Sequence, residues 1–372
     1  MRIELVKRPQ RSVLFSVLSP FIALALTVVA GAIMFSLLGK PPGEALSYYF
    51  IQPLSGLWNP DDVWQLHELA IKAAPLILIG VGLSVCYTSN NWNIGAEGQF
   101  VVGAIVGSIL PVVYPDFQSF LVLPLMLIMG MIGGAAYGAV PALLKARFNT
   151  NEILTSLMLV YVANLLLDWV VRGPWRDPQG FNFPQTIQFS PAATLPELMP
   201  DSGRANWGFV FAILAALVLW FMMSRTIKGF EVKVLGQSPR AGRFAGFSAR
   251  GMVYFSFILS GALAGLAGIC EVSGAIGKLQ PVISPGYGFT AIIVAFLGRL
   301  NPIGVVFSGL LLALTYLGGE AAQTSLQLSD KVVRAFQGIL LFFVLASDTL
   351  ILYRVRFVAG AGKAPEAAHG HA

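Results

Sequence analysis

Four hydrogen-bonding side chains, Asn91, Asn93, Glu97 and Gln99, crowd into one short segment, NWNIGAEGQF, beside Gly95 and Gly98. Amides donate and accept, and a carboxylate accepts at both oxygens, so such a cluster can meet a polar solute's hydroxyls and heteroatoms in either sense. Phe100 follows at once, while Tyr287 and Phe289 lie in a second glycine-bearing segment, SPGYGF; rings of this kind can stack on a flat solute. The chemistry on offer is recognition, with no covalent step. A second reading stays open on the residues alone: the same groups cap the helix that follows and satisfy its loose amides.

The motifs of covalent chemistry are missing. The sequence contains no HExxH, GxSxG or paired-aspartate motif. Cys86 and Cys270 stand singly in apolar runs, without zinc spacing, and read as small buried residues. No catalytic residue, metal site or bound cofactor is therefore expected. A phosphate-binding GxxxxGK[ST] loop is also lacking, since Gly360, Gly362 and Lys363 have neither the spacing nor the hydroxyl.

The elements that must position the polar segment are membrane helices. Hydrophobic residues make up 56% of the chain and charged ones 11%, far from the roughly 25% charged of soluble domains. The fold class is all-α, a polytopic protein whose first partner is the lipid bilayer. The net charge of +6 says little about nucleic acid, because lysines and arginines serve topology and no basic patch is interleaved with aromatics.

Ten spans are predicted, over residues 13–38, 68–87, 94–113, 120–144, 152–171, 207–225, 251–271, 289–297, 303–318 and 333–353. The first is too long for a signal-peptide core of about 7–15 residues. The third reaches the ~20 residues needed to cross only if residues 94–99 are included, which draws part of the polar segment into membrane depth. Residues 40–67, with Trp58 and Trp64, residues 172–206 and residues 319–331 are expected outside. Asn149 with Glu152 matches a helix-start pattern for the fifth span. Inside segments then hold about twice as many lysines and arginines as the rest, which places both termini in the cytoplasm. Residues 1–356 form one membrane domain, and residues 357–372, with His369 and His371, a disordered tail.

The longest basic polar interval, residues 225–250, falls inside. Ser238 suits an N-cap, Pro239 the first helical position and Gly246 a left-handed stop, which predicts a two-turn helix over residues 238–245. Ala241 and Phe244 share one side with Ala245, and Arg240 and Arg243 share another, with Gly242 between them. Such a basic-flanked knob is a lever that a soluble partner can push, or else a solvated loop that enforces orientation.

NIGAEGQF and SPGYGF both lead into unusually short apolar segments, at matching places in two groups of four spans of opposite direction. This pattern predicts an inverted repeat with interrupted helices, an arrangement that marks many transport sites. Gly261, Ala262, Ala264, Gly265, Ala267 and Gly268 in the seventh span allow close helix approach. Asp168 is expected to pair with Arg172 one turn on, and Asp348 to anchor near Arg354. Glu271 and Glu320 fall at outer helix ends, lining a vestibule or simply exposed.

Four ordered segments, NWNIGAEGQF, TNEILTSLMLVYVANLLLDWVVRGPWRDP, VLGQSPRAGRFAG and SPGYGFTAIIVAFLGRLNPIG, resemble the permease subunits of bacterial ABC importers of the branched-chain amino acid and monosaccharide type. The similarity is nearest to the nucleoside branch that works with a BMP-type lipoprotein, and it covers the second to tenth spans. The resemblance implies an inner-membrane permease that pairs with a second permease, two cytoplasmic ATP-binding subunits and an outside substrate-binding lipoprotein. It also implies that ATP is used by the partner, that residues 238–246 form the coupling helix, and that the polar segment meets nucleosides. A sugar, a vitamin-like heterocycle or a branched-chain amino acid is the alternative cargo. An ion-coupled secondary transporter, the rival class, would need an acidic or histidine relay in the membrane, and His67 is the one histidine outside the tail.

Overall fold

The computed structural model describes residues 2–7, 13–199 and 203–358. In chain order, β1 (Arg2–Lys7) and α1 (Val13–Leu37) precede the short α2 (Pro42–Phe50), two 3-10 turns and α3 (Val63–Thr88). Next come α4 (Ala96–Gly107), the brief α5 (Ile109–Val113), α6 (Val122–Phe148) and α7 (Glu152–Arg172). After a long loop follow α8 (Trp207–Arg225), α9 (Ile227–Gln237), α10 (Pro239–Phe244) and α11 (Ala249–Cys270), which continues as a π-turn, Glu271–Ile276. α12 (Tyr287–Leu297), α13 (Pro302–Leu326), α14 (Asp330–Leu352) and β2 (Tyr353–Val358) complete the order.

Among the described residues, α3, α6, α7, α8, α11 with its π-turn, and α13 are long and apolar enough to cross a membrane. α4 and α12 are apolar but short. At 1.5 Å per residue they reach about 18 Å and 16 Å, well under the ~30 Å hydrocarbon core. The chain is thus an all-α, multi-pass membrane protein with short helices where the sequence predicts them.

Two compact units divide the chain, Met1–Ser47 with Ala322–Ala372, and Tyr48–Ala321. In the unit of chain ends, α1 packs along α14, with the rings of Phe35 and Phe336 5.5 Å apart. β1 and β2 pair antiparallel, Arg2 opposite Val358 and Lys7 opposite Tyr353. This ribbon adds to the all-helical expectation, and the alternation in RIELVK and YRVRFV carries it. Asp348 has no described side chain, and the tail from residue 359 lies outside the described residues.

The central unit is built around α3, 89% of whose most apolar window is buried, against 28% for α7 and α8. α3 packs on α8, α11 and α12, while α11 packs on α4 and α6. The small residues of α11 make that last contact possible: a side chain on Gly103 of α4 would overlap the backbone of Gly265, and one on Gly134 of α6 would overlap Gly261. Backbones touch there as in other small-residue membrane interfaces.

Several expected boundaries move, each for a local reason. Residues 40–67 contain α2 and two 3-10 turns. α9 occupies residues expected to be loop, started by Thr226, whose hydroxyl accepts from Gly229 N–H at 3.3 Å, and buried through Gly229, Val232 and Leu235. α13 runs on through most of the segment expected outside, because GGEAAQTSL holds no helix breaker strong enough to end a packed helix. Asn149 closes α6 in the left-handed conformation, φ 52°, and Asn151 is the cap of α7, its oxygen accepting from Ile153 N–H at 3.0 Å.

Candidate functional site

The link between α3 and α4 carries the polar segment into the interior. α3 ends beside α9, since a side chain on Gly236 would strike the carbonyl of Thr88, so this is the end of the central unit that bears α10. Asn90 turns the chain at φ 58°, and Asn91, Asn93, Glu97 and Gln99 are then all 5% exposed or less. Asn91 donates to Ser89 Oγ at 2.9 Å and to Ser256 Oγ at 3.1 Å, and accepts from Lys145 Nζ at 2.8 Å. Lys145 also pairs with Glu152 at 2.6 Å, which ties α6 and α7 into the same network.

Asn93 is saturated. Its amide nitrogen donates to Gln99 Oε1 at 2.9 Å and Ser260 Oγ at 2.8 Å, and its oxygen accepts from Gly95 N–H at 3.0 Å and Gln99 Nε2 at 3.1 Å. Two donors and two lone pairs are the full capacity of an amide. Cys86 joins from α3, its thiol 3.0 Å from the carbonyl of Ser256. The capping alternative therefore describes part of the arrangement, through Gly95, while the remaining bonds join α3, α4, α6, α7 and α11. Ser256 and Ser260 went unnoticed in the sequence; serines one turn apart within an apolar, glycine-rich span are the signal that marks them.

Glu97 serves another helix. Its carboxylate accepts from Gly288 N–H at 2.5 Å, at the N-terminus of α12, where negative charge is stabilised. The starts of the two short helices α4 and α12 thus meet. The ring of Phe100 lies 6.2 Å from that of Tyr287, and Tyr287 lies 6.1 Å from Tyr316. Phe289 does not join them; it is 41% exposed and has no ring contact among the described residues.

A second polar group occupies the opposite end of the central unit. Lys72 of α3 pairs with Glu320 of α13 at 2.7 Å, and Glu68 with Arg204 at 2.7 Å. Glu271, first in the π-turn, lies in electrostatic range of Lys72, Glu68 and Glu320. Thr290 and Tyr316 share a hydroxyl contact of 2.7 Å nearby on α12 and α13. Glu271 and Glu320 do not sit at helix ends, because α11 and α13 both continue past them. Lys72 was readable as a lone cation in an apolar run, and ionisable groups in a span cost about 2.5–3.5 kcal/mol at its centre.

The long loop before α8 holds this end together. Its backbone N–H groups at Thr186, Phe189 and Leu195 donate to the carbonyls of Leu279, Gly277 and Ser273 at 2.9–3.0 Å, strapping the loop to the π-turn at Ser273 and to the residues that follow it. Asp168 and Arg172 pair at 2.7 Å, as expected, on an exposed face.

At the other end, α10 matches its sequence signals. Ser238 Oγ accepts from Ala241 N–H at 3.5 Å, Pro239 is the first helical residue, and Gly246 is left-handed at φ 82°. Gly242 is buried against Leu235 of α9, which leaves no room for a larger residue. Arg240, Ala241, Arg243 and Phe244 face outward, Phe244 being 95% exposed, and the two arginines border a concavity with its ring.

Residues 65–345 match the family described as branched-chain amino acid transport system / permease component. The chain is 33% identical to the glucose ABC transporter permease protein TsgB13 of Haloferax volcanii, over 95% of this chain and 94% of that one. It is 30% identical to the guanosine ABC transporter permease protein NupP of Bacillus subtilis, over 92% and 95%. The nucleoside ABC transporter permease protein NupB of Lactococcus lactis is 29% identical over 88% of this chain and 90% of that one. With the match spanning α3 to α14, the chain belongs to this family of ABC transporter permeases.

Proposed function

We propose that the chain is the solute-conducting subunit of an ATP-driven nucleoside importer in the cytoplasmic membrane. It works beside a second permease subunit, is driven by cytoplasmic ATP-binding subunits and receives solute from a lipoprotein outside. ATP is bound and hydrolysed by those partners, and this chain carries no ATPase site of its own. Both termini and α10 face the cytoplasm, and the loop over residues 173–206 faces outside.

The observation that carries this reading is α10, a capped helix fixed to α9 through Gly242 yet presenting Phe244 almost wholly to solvent between two arginines. A rigid exposed knob transmits force; a loose loop does not. Residues 245–248 join α10 to α11, and α11 carries Ser256 and Ser260, which hold Asn91 and Asn93. When the ATP-binding subunits close, α10 moves and draws α11 with it. A shift on the order of 1 Å is enough to open hydrogen bonds of this length. The amide network is then the inner closure of the pathway, with Asn91, Asn93, Glu97 and Gln99 released toward the solute and Phe100 and Tyr287 beside its base. Phe289 is left outside the pathway.

The reading is tested with the full complex in proteoliposomes, by ATP-dependent uptake of labelled guanosine. Phe244→Asp is expected to abolish uptake. Undiminished uptake by that variant, or solute crossing through this chain alone without nucleotide, refutes the reading. A monosaccharide is the second reading, favoured by the identity to a glucose permease. Competition of unlabelled glucose against labelled guanosine separates the two.

A further inference from the structure

We propose that α9 lies in the headgroup layer of the membrane, its outer face seated among acyl chains, and that Arg225 there holds the phosphate of an anionic phospholipid. The proposal takes its side, the inner leaflet, from the importer reading above and adds a lipid to the partners of α10.

The outer stripe of α8 leads to the site. Leu214, Leu217, Val218 and Phe221 are 48–58% exposed and recur at the three-and-four spacing of one helix face. Because α8 is long and apolar enough to cross a membrane, this face meets acyl chains. Arg225 stands four residues beyond Phe221, so the stripe ends in a cation at the last turn. Long basic side chains at span ends reach out to the headgroups. Arg225 is exposed and has no hydrogen bond or ion pair among the described residues. Its neighbours are engaged: Lys228 pairs with Glu231 at 2.8 Å, and Lys233 donates to the Met223 carbonyl at 2.7 Å. Thr226 covers the carbonyl of Met222 through both its N–H and its hydroxyl. With those α8 carbonyls answered by other groups, the guanidinium keeps its donors for a ligand.

α9 continues the same surface. Gly229, Val232 and Leu235 are buried on its inner side, while Ile227, Phe230, Val234 and Gln237 share the outer one. Ile227 is 80% exposed and Phe230 58%, both within one or two turns of Arg225. Polarity rises along this face, from Ile227 and Phe230 through Val234 to Gln237 and then to the arginines of α10. A helix that leaves acyl chains for water has that order. A face made for a protein partner instead gathers its apolar residues at the centre of the patch.

The chemistry of the partner follows. A guanidinium donates two parallel hydrogen bonds to a phosphate, and the acyl chains of the same molecule cover Ile227. A zwitterionic headgroup brings its own cation to the phosphate, so a net-negative headgroup is preferred. The lipid then steadies α10, because Gly242 rests on Leu235 of α9.

The test uses the complete importer in nanodiscs. Single nitroxide labels at Ile227→Cys, Phe230→Cys and Gln237→Cys report their surroundings, the native Cys86 and Cys270 being buried. Oxygen, which collects among acyl chains, should relax the first two labels more than a water-soluble nickel chelate does, and the order should reverse at 237. Offered phosphatidylglycerol and phosphatidylcholine in equal amounts, wild type should retain the former about five-fold over the latter through detergent extraction, the scale of one basic residue at an anionic surface. Arg225→Gln should lose that preference. Labels at 227 and 230 reached more by nickel than by oxygen, or by neither because the ATP-binding subunits cover them, overturn the proposal. So does equal retention of the two lipids by wild type, or an undiminished preference in Arg225→Gln. The labels and the wild-type comparison leave Arg225 in place, so both stand even where Arg225→Gln does not assemble. None of these results touches the importer reading, which fails instead if wild type carries neither guanosine nor glucose with ATP.

Discussion

The two polar groups of the central unit differ in kind, amides and hydroxyls near α10 and charged side chains at the far end, and in how completely the protein satisfies them. Near α10, Asn93 uses all four hydrogen-bonding positions on protein groups, and its neighbours are nearly as fully engaged. At the far end, the Glu271 carboxylate has no hydrogen bond or ion pair among the described residues and is half-exposed. Saturation holds helices together, whereas Glu271, half-exposed at the end that carries the Lys72–Glu320 ion pair, joins no helices by hydrogen bonds. Polarity within a membrane domain therefore has two meanings, and the count of partners separates them.

The largest blow to both groups at once is Gly265→Val, because a side chain there strikes the backbone of α6 at Gly130 and Gly134 and forces the two helices apart. Overpacking against backbone is expected to cost about 3 kcal/mol or more, seen as a lowered Tm of the detergent-solubilised chain. Asn93→Leu comes next. It strands Gly95 N–H, Gln99 and Ser260, at about 2–4 kcal/mol by the same measurement, while Ser260→Ala alone should cost about 1 kcal/mol. If the saturated group holds the helices, that ranking stands; equal Tm values would erase the contrast. Glu271→Gln should shift stability by less than about 0.5 kcal/mol, since no partner is lost. Smallest of all is Phe244→Ala, with an unchanged Tm because the ring touches almost nothing, yet with solute-stimulated ATP hydrolysis by the complex reduced severalfold.

How much of this was legible follows from the distance over which each signal acts. The start and stop of α10 were readable because a cap, a proline and a left-handed glycine act within eight residues. The polar segment was visible as a place but not as a network, since Ser260 is 167 positions from Asn93 and no local pattern joins them. Lys72 and Glu320, 248 positions apart, posed the same difficulty, and an acidic residue read as marking a helix end turned out to continue one. α9 was missed for a different reason. Its apolar positions are interrupted by Lys228, Glu231 and Lys233, and those charges gave the stretch the look of a loop. The strands were overlooked because six alternating residues weigh little beside long apolar runs.

The ribbon of β1 and β2 also bears on biosynthesis. Its two strands are far apart in the chain, Lys7 pairing with Tyr353, so the first leaves the ribosome long before the second. At about 5–20 residues per second, β1 and α1 wait on the order of tens of seconds for α14 and β2. During that interval the apolar face of α1 must be guarded by lipid or by the insertion machinery. A ribosome that stalls before α14 would therefore leave α1 without its mate, a ready mark for quality-control proteolysis.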